Sequence, residues 1–448
     1  MSTASNNYTP PAALTGSMRD FRMLKGSDLL GRTAPFFKWQ NLRRQHGLWP
    51  FSRSTDNGPA TVCAARDDQG RELNGVNFAS QDYLSLSSHG AIKQTAQQTI
   101  EEFGVHSAGS AALVGNTSLS VKLEEKIAEF LGAAEAILYP TGWAAGFGAI
   151  KGFVRSTDHV VLDVLAHTCL QEGAMASTRN VYRFRHLQVE DCRRVLTDIR
   201  NRDTENGIMV VTEGLFSMDS DTPDILAMQT LCDEFNATLL VDVAHDLGCL
   251  GPDGRGHIGL QNMVGKIDLV MGSFSKTFGS NGGFVTCRNR ALKEYLRFYS
   301  PSCTFSNALS PVQAATVLKA FEIIETAEGA QLRQALMNNV LSLRAQLVER
   351  GFEVYGDPSA IVCVKMGNEA LARLVSRQLP GEHLIANLVE FPAVAKGQAR
   401  FRMQVMANHT AQDIANAVDR LHSAYVIGLE QFQRLEEQRG QEPLRAIA

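Results

Sequence analysis

The feature that most constrains this chain is a regular alternation of short apolar runs with helical patterns from Val76 onward. Stretches of helical pattern, such as 120–132 and 223–236, separate the apolar runs along the sequence. Parallel strands need long, usually helical crossovers, and strands buried on both faces read as continuous apolar runs. We therefore predict an α/β fold with a large domain whose mostly parallel sheet is covered by helices. The candidate strands are 136–140, 159–164, 181–185, 208–214, 238–244, 269–274 and 282–287.

The pattern changes after residue 310. A long helical stretch over 311–351 precedes short candidate strands at 361–366 and 399–406, and a final helix is predicted over 411–425. A chain of 448 residues is also too long for one ordinary core. We therefore predict a smaller C-terminal α+β domain beside the large one. The predicted divisions are an N-terminal tail and extension (1–75), the large domain (76–305), the small domain (306–425) and a C-terminal tail (426–448).

The N-terminal part of the chain lacks this alternation. Residues 1–20 are rich in Ser, Thr, Ala, Pro and Asn, which predicts a flexible tail. The stretch FFKWQNLRRQHGLW, 36–49, has the pattern of an amphipathic helix that stops at Gly47. We expect that helix to pack on the body of the protein or on a partner subunit.

Composition and charge exclude several classes of function. The 43 basic and 47 acidic residues give a net charge of −4, without the basic excess that favours nucleic acid. None of the eight cysteines forms a CxxC pair, so neither a zinc site nor a disulfide framework is predicted. No uncharged apolar stretch approaches the roughly 18 residues of a membrane span, and no signal peptide is recognisable. The sequence predicts a soluble cytoplasmic protein without a metal site.

The segment SFSKTFGSNGG, 273–283, carries the strongest chemical signal. In it, a predicted strand runs into a Ser-Phe-Ser-Lys turn and then into glycine. A lysine at a strand end, flanked by small hydroxyl residues, can be a buried amine that forms an imine with an aldehyde. Burial would lower the pKa of Lys276 and leave more of the neutral amine. The alternative for this motif alone is a surface lysine on a serine-rich loop.

A second signal lies in LLVDVAHDLG, 239–248. An apolar strand ends there at Asp242, and His245 follows three residues later. A carboxylate at this position can pair with a protonated pyridine nitrogen, which keeps a cofactor ring cationic and a good electron sink. Ligands of such sheets bind at the carboxyl ends of the strands, where Lys276 and Asp242 are both predicted to lie. The alternative is a capping or salt-bridged aspartate.

Six further stretches have an order and spacing typical of one enzyme family. They are NFASQDYLSLSSH (77–89), GSAALVGNT (109–117), YPTGWAAGFGAI (139–150), DVLAHTCLQEGA (163–174), VVTEGLFSMDSD (210–221) and VDVAHDLGCLGPDGRG (241–256). With the Lys276 segment, they make the chain resemble the α-oxoamine synthases of the aspartate-aminotransferase fold over residues 76–425. The resemblance implies an enzyme that uses pyridoxal 5′-phosphate (PLP) to join an amino acid to an acyl thioester.

The resemblance also implies a role for each matching residue. Lys276 matches the lysine that holds PLP as a Schiff base, Asp242 the carboxylate beside the pyridine nitrogen, and His167 the histidine that stacks on the ring. Arg402 matches the arginine that holds the substrate carboxylate, a task that suits its bidentate geometry. The other expected cofactor contacts are the phosphate-binding Thr141, Gly142, Trp143 and Ser273, and at the phenolic oxygen Ser217 and His245.

The sequence departs from the family pattern at positions that bear on the substrate. Gln81, which we assign to substrate binding, stands where a family asparagine precedes Asp-Tyr-Leu, and Ser120 stands in place of a common histidine. Asn307 replaces a threonine with which the partner subunit reaches the phosphate. Glu390 begins the stretch that replaces Arg-Pro-Pro, so a carboxylate stands in place of a mobile substrate arginine. It either meets a cationic group of an unusual substrate or is a solvated loop residue.

The reaction implied by the resemblance is a Claisen-type condensation. Lys276 removes the Cα proton of an amino acid, and the resulting carbanion attacks an acyl thioester, with loss of CO₂ in most family members. The expected partners are the amino acid, an acyl-CoA or an acyl carrier protein, and a second copy of the chain in a homodimer. The alternatives are another PLP reaction on the same fold, such as transamination or synthesis of signal α-aminoketones, and a non-catalytic subunit. The presence of Lys276, Asp242 and His167 argues against the last.

Overall fold

The computed structural model describes residues 9–441, so parts of the two predicted tails, 1–8 and 442–448, lie outside the described residues. The strands are β1 (Ser54–Thr55), β2 (Val62–Cys63), β3 (Ala65–Arg66), β4 (Gly75–Phe78), β5 (Glu135–Tyr139), β6 (His159–Asp163), β7 (Val181–Phe184), β8 (Ile208–Glu213), β9 (Thr238–Asp242), β10 (Leu269–Ser273), β11 (Gly283–Cys287), β12 (Val354–Tyr355), β13 (Ile361–Gly367), β14 (Leu384–Val389) and β15 (Ala399–Gln404). The α-helices are α1 (Pro11–Leu14), α2 (Ala34–Gln45), α3 (Gly90–Phe103), α4 (Ser118–Leu131), α5 (Gly142–Phe153), α6 (Thr168–Ser177), α7 (Val189–Arg200), α8 (Ile225–Glu234), α9 (Gly256–Leu260), α10 (Arg290–Tyr299), α11 (Pro301–Thr304), α12 (Pro311–Ile324), α13 (Ala327–Glu349), α14 (Glu369–Gln378) and α15 (Ala411–Gln441).

The large sheet has the strand order β5-β11-β10-β9-β8-β6-β7. Strands β10, β9, β8, β6 and β7 run parallel, whereas β11 pairs antiparallel with β10 and β5. This order confirms the predicted mostly parallel sheet, and each of the seven candidate strands lies in it. Parallel strands end at the same edge of a sheet. The ends of β6, β8, β9 and β10 therefore bring four polar residues to one edge: Asp163, Glu213, Asp242 and Ser273.

Alternate residues of these strands pack on opposite faces of the sheet. On β9, Leu239 and Val241 belong to the apolar cluster that includes α4, α8 and α12, whereas Leu240 packs in the cluster that includes α5 and α6. All three side chains are buried. Because both faces are covered, the strands are apolar without the alternation of a half-exposed sheet.

A second sheet has the strand order β12-β13-β15-β14-β4-β2 and contacts α13, α14 and α15. It forms the core of the smaller α+β unit. Within it, β4 lies parallel to β14, with Val76 opposite Leu384. The predicted boundary at residue 76 gives β4 to the large domain, yet its hydrogen bonds join it to the small sheet. The remaining domain boundaries stay predictions.

The N-terminal segment is packed where its composition predicts a flexible tail. Within residues 9–20, Ala13 and Leu14 of α1 are buried in a small cluster with α14. Arg373 of α14 donates a hydrogen bond to the carbonyl oxygen of Leu14 at 2.6 Å. The order of this part of the tail therefore comes from contacts that lie hundreds of residues away along the chain.

Two predicted helices are present, one of them longer than expected. Helix α2 covers most of the predicted amphipathic helix and buries Trp39 and Arg43 within its own chain. Helix α15 runs to Gln441, so the prediction that the final helix ends at 425 is wrong. Beyond that point Leu429 and Phe432 still pack against the core, which explains why the helix continues.

Candidate active site

The turn after β10 places Lys276 at the carboxyl edge of the large sheet. Ser273 ends the strand, and Met271 is in register with Asp242 on β9. The amine of Lys276 is buried. Burial lowers its pKa below the usual range, while the charges of Asp242 and Glu213 act in the opposite direction. A larger share of the amine is therefore neutral than in an exposed lysine, as a nucleophile or base requires.

Two buried carboxyl groups lie side by side at this edge, because Glu213 on β8 is in register with Asp242 on β9. Oδ1 of Asp242 accepts a hydrogen bond from the N–H of Ala244 at 2.8 Å. Burial raises the pKa of both carboxyl groups; Lys276 and His167 lower that of Asp242, whereas Asp242 raises that of Glu213 further. Asp242 is therefore the better site for a negative charge, and a cationic ring nitrogen beside it would favour that charge.

His167 is the N-cap of helix α6, and this position determines its tautomer. Its Nδ1 accepts a hydrogen bond from the backbone N–H of Cys169 at 3.3 Å. Its own backbone N–H donates to Oε1 of Glu213 at 2.6 Å. Burial lowers the pKa of His167, with Asp242 acting the other way. The neutral ring therefore carries its hydrogen on Nε2, which is free to donate to a ligand.

His245 is held by Tyr83, whose hydroxyl lies 2.9 Å from Nδ1 of the imidazole. Both side chains are buried. Burial lowers the pKa of His245 well below its ordinary value and raises that of Tyr83 above its usual range. The two groups are therefore neutral and share one hydrogen bond, which leaves Nε2 of His245 for a ligand.

The N-terminus of α5 and the end of β10 together form a cradle for an anion. Thr141 caps the helix, because its Oγ1 accepts the N–H of Ala144 at 3.0 Å. A Cβ on Gly142 would lie 2.3 Å from Cβ and 2.4 Å from Oγ of Ser273, so only glycine permits this close approach. Oγ of Ser273 also lies 2.8 Å from Oγ of Ser275. Helix N–H groups and two hydroxyls are donors that suit a phosphate.

Arg402 on β15 extends from the small sheet to this edge. Its Nη1 donates to the carbonyl oxygen of Ser217 at 3.3 Å. Its Nε is buried and has no hydrogen-bond partner among the described residues. The charge of Arg402 lowers the pKa of His167, His245 and Lys276, so the guanidinium lies within electrostatic reach of all three. A half-buried guanidinium whose Nε donor is buried and open suits a carboxylate ligand.

The remaining predicted residues lie at the rim of this site or away from it. Gln81 lines a cavity that Lys276 also lines. Trp143 follows the cradle in sequence, is about half exposed and stacks on a neighbouring ring of α5. Asn307 forms an isolated β-bridge with Ser110. In residues 9–441 of the single chain, no recorded hydrogen bond or ion pair joins Asn307 to the cluster around Lys276.

Comparisons with known proteins show the family of this chain. Residues 74–421 match the family described as aminotransferase class I and II. An 8-amino-7-oxononanoate synthase of Geotalea daltonii is 33% identical over 349 residues, which are 78% of this chain and 88% of that protein. A serine palmitoyltransferase of Sphingobacterium spiritivorum is 31% identical over 344 residues, 77% of this chain and 85% of that protein. The chain belongs to the α-oxoamine synthase family.

Solved structures of this α-oxoamine synthase family share the fold. A serine palmitoyltransferase from Sphingomonas wittichii has a TM-score of 0.83 at 26% identity and covers 90% of this chain and 100% of its own. A serine palmitoyltransferase structure described as holding PLP has the same TM-score at 27% identity, over 90% of this chain and 99% of that one. As an α-oxoamine synthase, the chain is an acyltransferase of PLP fold type I.

The residues of this α-oxoamine synthase fit PLP. The cradle at Gly142 and Ser273, which a single Cβ would fill, has the donors of a phosphate site. Asp242 offers a carboxylate for a pyridine nitrogen, and Lys276 offers a buried amine for an aldehyde. His167 is held by hydrogen bonds to α6 and Glu213 and offers an imidazole ring for stacking on the pyridine ring.

Glu390, which stands where the α-oxoamine synthases have a mobile arginine, is an internal ion-pair residue. Its Oε1 lies 3.2 Å from Nη1 of Arg43, and its Oε2 lies 2.7 Å from Nε of Arg373. All three side chains are buried. The expectation of a solvated loop residue is therefore wrong, and both oxygens are already engaged by arginines instead of a substrate cation. This position ties the small unit to the N-terminal extension.

Three residues near the site were not found by sequence reasoning: Glu213, Tyr83 and His186. Glu213 ends a predicted strand as Asp242 does, so the rule that ligands bind at strand ends could have found it. Tyr83 and His186 lie in connections between elements, where no periodic pattern marks them. Tyr83 contacts His245, and His186 contacts Asp163 and Asp221, which are distant in sequence.

Proposed function

We propose that this enzyme condenses an amino acid with an acyl thioester at the carboxyl edge of the large sheet, with Lys276 as the base. The observation that carries the proposal is the position of Lys276, a buried amine with a lowered pKa beside Asp242 and within electrostatic reach of Arg402. The product is an α-oxoamine. The acyl donor is an acyl-CoA or an acyl carrier protein.

Different residues of the site stabilise charge, orient the amino acid and transfer a proton. Bound PLP supplies an electron sink that stabilises negative charge at the Cα of the amino acid. Asp242 favours the proton on the ring nitrogen. Arg402 binds the carboxylate of the amino acid and so sets the direction of the Cα–H bond. Nζ of Lys276 then accepts the Cα proton as general base.

A new bond then forms between Cα and the carbonyl carbon of the acyl group. The C–S bond of the thioester breaks, and the thiol leaves with a proton. In the decarboxylative form of the reaction, the bond between Cα and the carboxylate then breaks and Cα takes up a proton. An amino acid and an acyl thioester thus give the α-oxoamine, the free thiol and CO₂. His167 contributes a fixed ring face and an Nε2 donor, because α6 and Glu213 already occupy its Nδ1 and its backbone N–H.

Product analysis tests this proposal. The purified protein with PLP is mixed with a panel of amino acids and acyl thioesters, and thiol release, CO₂ release and product mass are measured. We expect thiol release that requires both substrates. Formation of a keto acid without thiol release would instead identify an aminotransferase. A PLP-loaded protein that reacts with no substrate would support the non-catalytic subunit.

We also propose that the chain acts as a homodimer in the cytoplasm. Asn307 forms a β-bridge with Ser110, and the two bridged segments carry Phe305, Leu113 and Val114, which are 87%, 83% and 87% exposed. Apolar side chains grouped in this way are typical of a surface that a partner covers. In the dimer, Asn307 would complete the phosphate site of the other subunit.

Across residues 9–441, no helix has the length and hydropathy needed to cross a membrane.

A further inference from the structure

A cavity of about 530 Å³ opens beside Lys276. It lies between the segment that follows β4, the loop that follows β10 and the first turns of α12. His167, Asp242 and Arg402 do not line it. The cavity is therefore separate from the groups assigned to the ring and to the carboxylate. It is a space next to Lys276 that a second substrate could enter.

The side chains around this cavity are polar. Among the described residues that line it, Pro59 alone has an apolar side chain. The polar members include Ser80, Gln81, Ser280, Asn281, Gln313 and Thr316. A buried polar group that loses water needs a new hydrogen-bond partner, or its burial costs free energy. A ligand that fills this space must therefore bring polar atoms of its own or be small enough to leave water in place.

Two of these side chains have amides that the fold itself does not use. Oγ of Ser280 donates to the backbone of α12, and the Gln313 amide caps that helix. In contrast, the amides of Gln81 and Asn281 make no hydrogen bond with other described residues. Together they offer donors and acceptors on two sides of the cavity.

We propose that this cavity receives the acyl end of the thioester substrate and that the enzyme selects short or polar acyl groups over long alkyl chains. The inference rests on the proposed condensation. An apolar tunnel gains roughly fourfold in binding for each methylene that it buries. Walls of serine, threonine and carboxamide side chains offer no such gain, because burying them against methylenes removes their hydrogen bonds to water.

The test is a chain-length series from acetyl to decanoyl, with a succinyl member, made both as CoA thioesters and as N-acetylcysteamine thioesters. The second series carries the part of the donor that CoA and carrier proteins share. We expect kcat/KM for thiol release to stay level or fall as the chain lengthens, and the succinyl group to be accepted. An increase that approaches fourfold per methylene would overturn the inference.

Two variants examine the walls directly. Gln81→Leu and Asn281→Leu nearly preserve volume but make the wall apolar. Each should raise the ratio of decanoyl to acetyl turnover by at least about fourfold, the value of one methylene. Asn338→Leu on the exposed side of α13 is the matched control and should leave the ratio unchanged. If the Gln81 and Asn281 variants also leave it unchanged, the cavity does not hold the acyl group.

The same assay separates this inference from the proposed function. PLP absorbance that responds to an amino acid, together with thiol release from short donors, supports both. Thiol release that increases with chain length overturns only the inference. An absorbance response with no thiol release from any thioester overturns the condensation itself.

Discussion

Nδ1 of His186 lies 2.9 Å from Oδ1 of Asp163, the buried residue that ends β6 four positions before His167. Nε2 of the same imidazole lies 3.1 Å from Oδ2 of Asp221. Because both ring nitrogens face carboxylates, the ring is doubly protonated and positively charged. His186 thus links the loop that carries His167 with the loop that carries Ser217.

The charge on His186 makes the free energy of unfolding of the protein decrease as the pH rises into the alkaline range. Burial alone lowers the pKa of His186, but the hydrogen bonds and charges of Asp163 and Asp221 outweigh it and raise the pKa to about 10. A raised pKa adds stability that is fully present below the ordinary histidine pKa and is lost as pH rises through 10. We expect His186→Gln to lower the free energy of unfolding by about 1–3 kcal/mol at neutral pH, and the difference to shrink above pH 10.

Denaturant unfolding at neutral pH and above pH 10 measures this difference in the free energy of unfolding. The matched control is His159→Gln, because His159 begins β6, at the end opposite to Asp163, and its Nε2 lies 2.9 Å from Oδ2 of Asp203. That variant should lower the free energy of unfolding at neutral pH by less than His186→Gln does, because it removes a contact with one carboxylate and not two. If His186→Gln lowers the free energy of unfolding equally at neutral pH and above pH 10, His186 is not stabilised as a cation by Asp163 and Asp221.

The imine-forming lysine is the most direct assignment to test. Lys276→Ala should lose the visible absorbance of bound PLP and nearly all turnover, because we assign its amine as both the attachment point and the base. Borohydride reduction followed by peptide mass analysis locates the modified lysine. Lys266→Ala, an exposed lysine shortly before β10, should behave as wild type. A PLP adduct reduced onto another lysine in the Lys276 variant would refute the assignment.

Arg402 tests how the substrate carboxylate is held. Loss of a charged hydrogen-bonded pair with a small ligand costs about 1.5–3 kcal/mol, which is roughly a ten- to hundredfold loss in kcat/KM. Arg402→Ala should bind PLP normally and respond weakly to amino acids in an absorbance titration. Arg402→Lys keeps the charge without the bidentate geometry, so its absorbance response should lie between those of the wild type and Arg402→Ala. A normal titration by the alanine variant would show that the carboxylate is bound elsewhere.

Glu390 is expected to matter for stability and not for the substrate. Removing one partner of a buried ion pair typically costs about 3–5 kcal/mol, because an uncompensated charge remains buried. Glu390→Gln leaves the charges of Arg43 and Arg373 buried without their carboxylate partner. The free energy of unfolding of this variant should therefore fall by several kcal/mol, while its titration with amino acids is unchanged. Glu353→Gln, which breaks an exposed pair with Lys365, should cost less than about 1 kcal/mol. A stable Glu390 variant with altered amino-acid preference would contradict this assignment.

The exposed apolar face near Asn307 predicts an obligate homodimer. Phe305→Glu replaces one of those exposed apolar side chains with a charge and should yield a monomer that lacks activity and binds PLP weakly. Sedimentation velocity measures the assembly. Leu226→Glu, at an exposed apolar residue of α8 that lies away from this face in sequence, is the control and should remain dimeric. A wild-type monomer with full activity would contradict the dimer.

Local pattern was sufficient to predict the large sheet and to place Lys276 and Asp242 at the ends of two of its strands. Each strand of that sheet is a short apolar run, because helices cover both faces, and the runs end where polar residues begin. Lys276 and Asp242 stand at two such ends, and parallel strands end at one edge. The sequence therefore predicts that both lie at one edge, and the pairing of β9 with β10 makes them neighbours there. The family resemblance added His167, His245 and the glycine cradle, since each belongs to a motif whose spacing is local.

Tertiary structure alone decided the contacts between residues far apart in the chain. Glu390 meets Arg43 across 347 positions, and no local pattern distinguishes that buried glutamate from a solvated one. Tyr83 reaches His245 across 162 positions for the same reason. The pairing of β4 with β14 and the packing of residues 9–20 also depend on partners supplied by the folded small unit. Periodicity reports which face of an element is buried, whereas the identity of the buried partner depends on how the elements are placed in space.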